Sequence, residues 1–486
     1  MAGLISYGGY VPRYRLNCMA IFGAMGWINP VTLTVARGEK AVGNFDEDAL
    51  TMAVAAGMDC VRGFDRCGID AVYFATTTAP FKERLNANIV ASALGTREDV
   101  RSADYTASLK AGTTALLSAL EFTAAGGGSR ALVCAGDQRL GKIGSVQEML
   151  FGDAGAAFLV GEENVIAEFK GSYSTAHDFV DHLRGANSLY DRMWEDRWIR
   201  EVGYGQFIAE AVAGVCAKLG MTAADFDKVV YPCTYGSTRR KIDRGMGFKE
   251  GAVQDDLLAA VGDSGAAHPL LMLAKALEDA RPGEKILVVG YGSGCDALVF
   301  EVTEAITALG KDRGVSRWLA RRAELDNYLK YIVWRRLIQA DMGMRGEFDL
   351  ETRWSLIWRE RKAMLGLHGG ICRACGTQQF PPERVCANPA CGAVDSMDLV
   401  YLADRGGRVF SYTGDMLAAS YDPPAAYGNI ELGGGGKMLM DFTDCTADDL
   451  EVGMPMEFSF RIKLYDPKRD VTNYFWKAVP ALQEVG

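Results

Sequence analysis

The sequence predicts a layered α/β fold followed by a small β-barrel, and three observations carry that prediction. Across residues 1–311, short apolar strands alternate with longer helical patterns. From Gly369 onward the pattern shortens to period-two strands broken by Pro and Gly turns. At the head of that second region four cysteines cluster between Cys372 and Cys391.

In chain order, the expected strands of the first region are Ala71–Ala75, Arg130–Ala135, Ala156–Val160, Lys228–Tyr231 and Lys285–Gly290. Each is a nearly continuous apolar run, as a strand covered by helices on both faces requires. Helical patterns run between them, at Glu47–Arg62 and Gly112–Ala124. Strand-then-glycine junctions recur in both halves, at Cys134-Ala135-Gly136-Asp137 and at Val289 through Gly294, which suggests an internal duplication. Residues 312–368 are rich in Arg, Trp, Leu and Glu at helical spacing and read as a helical connector. Arg408–Tyr412, Lys437–Phe442 and Met456–Ile462 then read as barrel strands. The expected divisions are 1–165 and 166–311 for the two halves, 312–368 for the connector, 369–397 for the cysteine segment and 398–486 for the barrel.

Composition narrows the function. The apolar and charged fractions, 49% and 23%, are those of a globular protein, and the net charge of −10 argues against a broad nucleic-acid interface. A local basic pocket remains compatible with that charge. No apolar run is long enough to span a membrane, and the opening residues lack a basic segment followed by an apolar core. Eight of the twelve cysteines are scattered, several within apolar runs, and read as reduced thiols of a cytoplasmic protein.

The other four are Cys372, Cys375, Cys386 and Cys391. Two pairs separated by a ten-residue loop can wrap four thiolates around Zn²⁺. Gly376 and Gly392 follow the second cysteine of each pair, where a tight turn is needed. A site closed by four cysteines is structural and leaves no open position for chemistry.

The stretch Asp104-Tyr105-Thr106-Ala107-Ser108-Leu109-Lys110-Ala111-Gly112-Thr113 resembles the nucleophile turn of the 3-hydroxy-3-methylglutaryl-CoA synthases of the thiolase superfamily. Tyr7–Arg15, Lys40–Val42 with Asp46–Ala49, Phe151–Phe158 and Lys285–Gly294 resemble further segments of the archaeal-type enzymes. Residues 369–483 resemble the DUF35 family, a rubredoxin-like zinc ribbon joined to an OB-fold, through Cys372–Cys375, Phe380–Arg384, Val409–Thr413 and Val452–Met456. The resemblance implies a five-layered, duplicated thiolase-like α/β domain that pairs as a homodimer and acts on a coenzyme A thioester.

Such enzymes use a cysteine to take the acyl group, a glutamate as acid–base, and a histidine with an asparagine to position the second substrate. Here the resemblance sets Leu109 at the cysteine position and Thr77 at the glutamate position. It sets Pro232 at the histidine position, or Cys233 after a one-residue slip, and Asp263 at the asparagine position. The acyl-cysteine route therefore has no carrier.

The same loops offer Tyr235, Asp263, His268 and Tyr291 as candidate catalytic groups, with Thr77, Ser108, Leu109, Cys233, Gly292 and Gly294 around the substrate. The expected reaction is carbon–carbon cleavage of a β-hydroxyacyl-CoA by proton transfer, with no covalent step. The alternatives are a condensing acyltransferase using Ser108 or Cys233, and a non-catalytic scaffold for CoA intermediates. Tyr291 and Tyr235 also read as packed aromatics, His268 as a cap of the helix at Leu270–Leu277, and Asp263 as a turn residue. His177 and His182, flanking Asp178 and Asp181, form a weaker, metal-like group.

Overall fold

The computed structural model describes residues 2–341, 343 and 353–481. The chain forms two compact units. The first holds the residues up to Gly43, Asp48–Val90 and Thr96–Tyr331; the second holds Asn44–Glu47, Ala91–Gly95 and the chain from Ile332. The connector expected over 312–368 is thus shared between the units. Its residues 342 and 344–352, and residues 482–486 of the expected barrel, lie outside the described residues.

The first unit is built on nine strands: β1 (Gly3–Tyr10), β2 (Ala71–Ala75), β3 (Arg101–Tyr105), β4 (Arg130–Asp137), β5 (Ala154–Gly161), β6 (Ala167–Ser174), β7 (Lys228–Val230), β8 (Lys285–Tyr291) and β9 (Cys295–Val302). Their order is β3-β2-β4-β5-β1-β6-β9-β8-β7. Within the nine-stranded sheet the two halves join where Gly3 and Leu4 of β1 pair with Glu168 and Ala167 of β6. Outward from that junction run β1-β5-β4-β2-β3 on one side and β6-β9-β8-β7 on the other. In each half the second strand, β5 or β9, runs antiparallel to its neighbours, and parallel pairing follows. The second half repeats the first with its edge strand omitted, so the recurring strand–glycine junctions did mark a duplication.

Among the unit's helices are α1 (Ala49–Cys60), α2 (Ala111–Ala124), α3 (Ile208–Leu219), α4 (Gly236–Met246) and α5 (His268–Glu278), and a small three-stranded sheet of Tyr14–Asn17, Glu39–Val42 and Ala323–Glu324 lies in the same unit. α1 covers β1, β4 and β5, and α3 covers β6, β8 and β9. α2 and α5 touch each other and strands of both halves, so they form the middle of five layers. A side chain at Gly112 would place its Cβ 2.2 Å from the Ala266 carbonyl oxygen, and glycine there lets α2 approach the turn before α5. Buried Leu116, Leu120, Leu270, Leu273 and Leu277 fill the same layer between the sheets. Asp48 starts α1 with a capping box to Thr51. The N-cap of α2, Lys110, makes no side-chain cap, and the Ala111 N–H donates to the Ser108 carbonyl instead (3.0 Å).

The second unit begins with β10 (His368–Cys372), β11 (Gln378–Gln379) and β12 (Met397–Tyr401), a three-stranded sheet around the cysteine cluster. A barrel follows: β13 (Gly407–Asp415), β14 (Ala425–Leu432), β15 (Lys437–Asp441), β16 (Pro455–Asp466) and β17 (Val471–Pro480), in the order β15-β14-β13-β16-β17. A parallel bridge from Phe442 to Ala478 joins the first and last strands of that sheet. Alternate residues point inward, among them Ile430, Met440, Phe458, Phe460, Tyr474 and Trp476, as the period-two pattern requires. No helix among the described residues is long and apolar enough to cross a membrane.

Candidate functional site

The middle-layer helices aim their N-termini at one small cavity in the first unit. Leu109 from the turn before α2, Pro232 and Thr234 after β7, Asp263 and Gly265 before α5, and Tyr291 at the end of β8 line it, with Tyr204 and Leu258. The space open to the centre of a water molecule is ≈ 10 Å³, about one water. Three positions that the sequence resemblance assigns to the acyl cysteine, the histidine and the asparagine therefore converge on one wall. They carry Leu109, Pro232 and Asp263.

Two tight turns hold that wall. The Ser108 hydroxyl donates to the Gly292 carbonyl (2.8 Å) and accepts from the Lys110 N–H (3.3 Å). A Cβ at Gly292 would lie 2.8 Å from the backbone nitrogens of both Leu109 and Lys110, so glycine is required at this approach. Each turn carries a non-glycine residue in the left-handed region, Ala107 at φ 68° and Ser293 at φ 51°. Such conformations cost about 1–3 kcal/mol and persist where surrounding structure enforces them. Here Lys110 and Asp296 (3.2 Å), with Thr113 and Thr114 on the same carboxylate, tie the turn to β9. Gly294, at φ 109°, approaches the Thr175 carbonyl and closes the second turn.

Of the described residues that line the cavity, Tyr291 carries the buried polar atom left unmet. It is 2% exposed, and among the described residues no partner meets its hydroxyl at hydrogen-bonding geometry. Burial, then the Asp181 carboxylate, push its phenol far above the ordinary range, so it is a neutral donor. Tyr204 stacks on it with ring centres 4.2 Å apart. Burial first, then Cys233 and the Asp263 carboxylate, raise Tyr204 as well. Tyr204 lies in a π-helical stretch, Ile199–Phe207, and the absent side chain of Gly203 leaves room for the Tyr291 hydroxyl.

Asp263 is ionised. Burial is the largest influence and would raise its carboxyl, but Arg139, His268, the Gly265 N–H and His182 together outweigh it and hold the group below the usual range. Arg139 is itself buried between Asp263 (2.9 Å) and Asp191 (2.8 Å), with its guanidinium 3.9 Å from the centre of the Phe151 ring. Behind this pair, the Asp137 side chain accepts from the Thr77 N–H, the hydroxyls of Thr76, Thr77 and Thr78, and the Ala266 N–H. Thr77 is therefore bound one layer back from the cavity wall.

Other expected groups fall elsewhere. The Nδ1 of His268 accepts from the Ser264 N–H (3.2 Å), and its Nε2 donates to the Asp256 carbonyl (2.8 Å). Both nitrogens are committed in the fold, and His268 anchors the start of α5. The Tyr235 hydroxyl donates to Asp196 (3.2 Å), away from the cavity; Tyr204 holds the place beside Tyr291 instead. Cys233 is buried, its thiol points to the Tyr235 carbonyl (3.6 Å), and burial pushes it up to about 12, so it is not a thiolate near neutrality. The partners of the Ser108 hydroxyl, the Gly292 carbonyl and the Lys110 N–H, include no base. His177 pairs with Glu210 (2.9 Å) and His182 with Asp181 (2.8 Å), so the expected metal-like group is divided into two separate pairs.

Among the described residues, the group of metal-ligating side chains that does converge is Cys372, Cys375, Cys386 and Cys391, whose sulfurs all lie within 4.8 Å of one another. Cys372 and Cys391 are 3.9 Å apart and Cys375 and Cys386 3.6 Å apart. A tetrahedron with metal–sulfur bonds of ~2.3 Å has edges of ~3.8 Å, so the donor set fits Zn²⁺. Gly376 and Gly392, both at positive φ, turn the two knuckles.

The family model for the C-terminal OB-fold domain of ChsH2 matches residues 400–461. The chain is 34% identical over 310 residues to the hydroxymethylglutaryl-CoA synthase of Methanopyrus kandleri, covering 63% of this chain and 88% of that protein. It is 31% identical over 348 residues to the enzyme of the same name from Methanocaldococcus jannaschii, covering 70% of this chain and all of that protein. A crystal structure of HMG-CoA synthase complexed with CoA matches the fold with a TM-score of 0.61 at 19% identity, over 72% of this chain and 94% of that one.

Proposed function

The chain belongs to the hydroxymethylglutaryl-CoA synthase family, with a ChsH2-type OB-fold at its C-terminal end, and from that premise we propose that it is a carbon–carbon lyase of a β-hydroxyacyl-CoA. The observation that carries the reading is the exchange of groups at the cavity. Leucine occupies the turn before α2, and the unmet polar group of the cavity lining is the Tyr291 hydroxyl. An alkyl side chain cannot form an acyl-enzyme, whereas a neutral buried phenol can donate to a thioester carbonyl oxygen as it becomes an enolate.

The reaction removes the proton of the β-hydroxyl. The Cα–Cβ electron pair moves toward the thioester, its oxygen takes up negative charge under Tyr291, and a carbonyl forms at Cβ. Protonation of Cα then releases a shorter acyl-CoA. Tyr204 holds the Tyr291 ring by stacking, and Arg139 fixes the Asp263 carboxylate in the cavity lining.

α4 begins just after the cavity-lining Thr234 and carries Arg240, Lys241 and Arg244 on its exposed side. These cations hold no ion pair among the described residues and suit the CoA phosphates. The four cysteines would hold zinc in a structural role. A homodimer in the cytoplasm is part of the same reading, and β3, which ends the sheet, offers the edge for pairing.

The test is incubation with a panel of β-hydroxyacyl-CoA thioesters of different chain length. The expected products are an aldehyde or ketone and a shorter acyl-CoA; no cleavage of any member would overturn the proposal. The family name favours a second reading, condensation of two acyl-CoA thioesters, which requires an acyl group transiently bound to the protein.

A further inference from the structure

We propose that His182 is the general acid–base of this site and that Asp181 positions it. The proposal rests on the lyase reading and supplies the group which that reading needs to move the proton.

Asp181 is buried, and one of its oxygens accepts from the His182 backbone N–H (2.7 Å) and pairs with the ring Nδ1 (2.8 Å). Two bonds to one oxygen fix the ring and leave Nε2 as the exchangeable nitrogen. Among the described residues no partner meets Nε2, and the side chain is 19% exposed. The other histidines are differently employed. His268 has both nitrogens bound, His177 is stacked on Phe207 and paired with Glu210, and His368 bonds the Lys362 carbonyl in the second unit.

The loop carrying the dyad is pinned to the cavity walls from both sides. The His177 N–H donates to the Ser293 carbonyl, two residues beyond Tyr291. Leu183 pairs with Arg192, and the adjacent Asp191 grips Arg139, which grips Asp263. Arg184 donates to the Thr77 carbonyl. The dyad is near enough for the Asp181 carboxylate to act electrostatically on Tyr291 and for His182 to act on Asp263, two residues that line the cavity.

In the reaction, Nε2 takes the β-hydroxyl proton as the Cα–Cβ pair moves into the thioester. Asp181 balances the imidazolium, and Nε2 returns the proton to Cα. Protons and electrons balance with no further reactant.

The experiment compares wild type with His182→Gly, His182→Gln and Asp181→Asn on a β-hydroxyacyl-CoA that the wild type cleaves. We expect kcat to fall by about 10²–10⁴-fold in both His182 variants with KM little changed. Added imidazole should restore part of the rate in His182→Gly, where the ring leaves a space, and not in His182→Gln. Asp181→Asn should lower kcat by a smaller factor. Wild-type kcat in His182→Gln, or a dead His182→Gly that imidazole does not revive, overturns the dyad and leaves the lyase reading standing. If the wild type cleaves nothing, both fall together.

Discussion

Removing the Tyr291 hydroxyl should make the protein more stable and less active at once. The hydroxyl is buried, no partner among the described residues meets it at hydrogen-bonding geometry, and leaving a donor unsatisfied costs about 1–3 kcal/mol. Tyr291→Phe keeps the ring, hence the 4.2 Å stack on Tyr204 and the packing under Gly203. The variant should gain about 1 kcal/mol, read as an upward shift of about 1–3 °C in the unfolding midpoint. A water in the cavity would shrink that gain toward zero without reversing it. The same change deletes the donor to the enolate oxygen, and loss of one such donor lowers kcat by about 10²–10³-fold, ~3–4 kcal/mol of transition-state stabilisation. Thermal unfolding without substrate and steady-state cleavage of a β-hydroxyacyl-CoA give the two numbers. A variant that is clearly less stable and equally active would refute the reasoning, because the hydroxyl would then be serving the fold.

Arg139→Met should cost about 3–5 kcal/mol, since it leaves the buried carboxylates of Asp191 and Asp263 without their cation; denaturant unfolding of the variant and of Arg139→Met with Asp263→Asn, which should be less damaged, checks this. Prolonged treatment with a strong chelator should lower the unfolding midpoint of the second unit and leave the cleavage-site residues folded, and Zn²⁺ should restore the midpoint. Replacing Arg240, Lys241 and Arg244 together by Ala should weaken binding of a CoA thioester about tenfold and flatten its dependence on salt, measured by calorimetry at two ionic strengths.

Periodicity located the frame because burial dictates it. The fully buried strand at Ala71–Ala75 is a continuous apolar run and lies where it was expected, and the helix expected at Gly112–Ala124 begins one residue earlier, at Ala111. The barrel strands at Gly407–Asp415 and Pro455–Asp466 extend their expected cores, since alternation fades where both faces become half-exposed. β6, with residues of mixed polarity, gave no such run and went unnoticed.

At the site, Leu109, Pro232, Asp263 and Tyr291 were legible because each lies next to a strand end or a helix start. Arg139 and Asp137 were not, for a buried charge is recognisable only once its partners from distant segments are in place. Tyr204 had a signal: glycines on both sides, Gly203 and Gly205, inside a helical pattern call for a packing reason. Asp181 and His182 lie in an irregular loop, where spacing carries no direction for side chains, and the metal-like grouping inferred there came from proximity in sequence alone.

The account's central claim is cleavage without an acyl-enzyme. Intact-protein mass spectrometry after rapid quenching, with a β-hydroxyacyl-CoA and separately with acetyl-CoA, tests it most directly. The account predicts an unchanged protein mass in both, alongside a shorter acyl-CoA and a free aldehyde or ketone in the first. An acyl group retained on the protein, whether at Ser108, Cys233 or elsewhere, would contradict it.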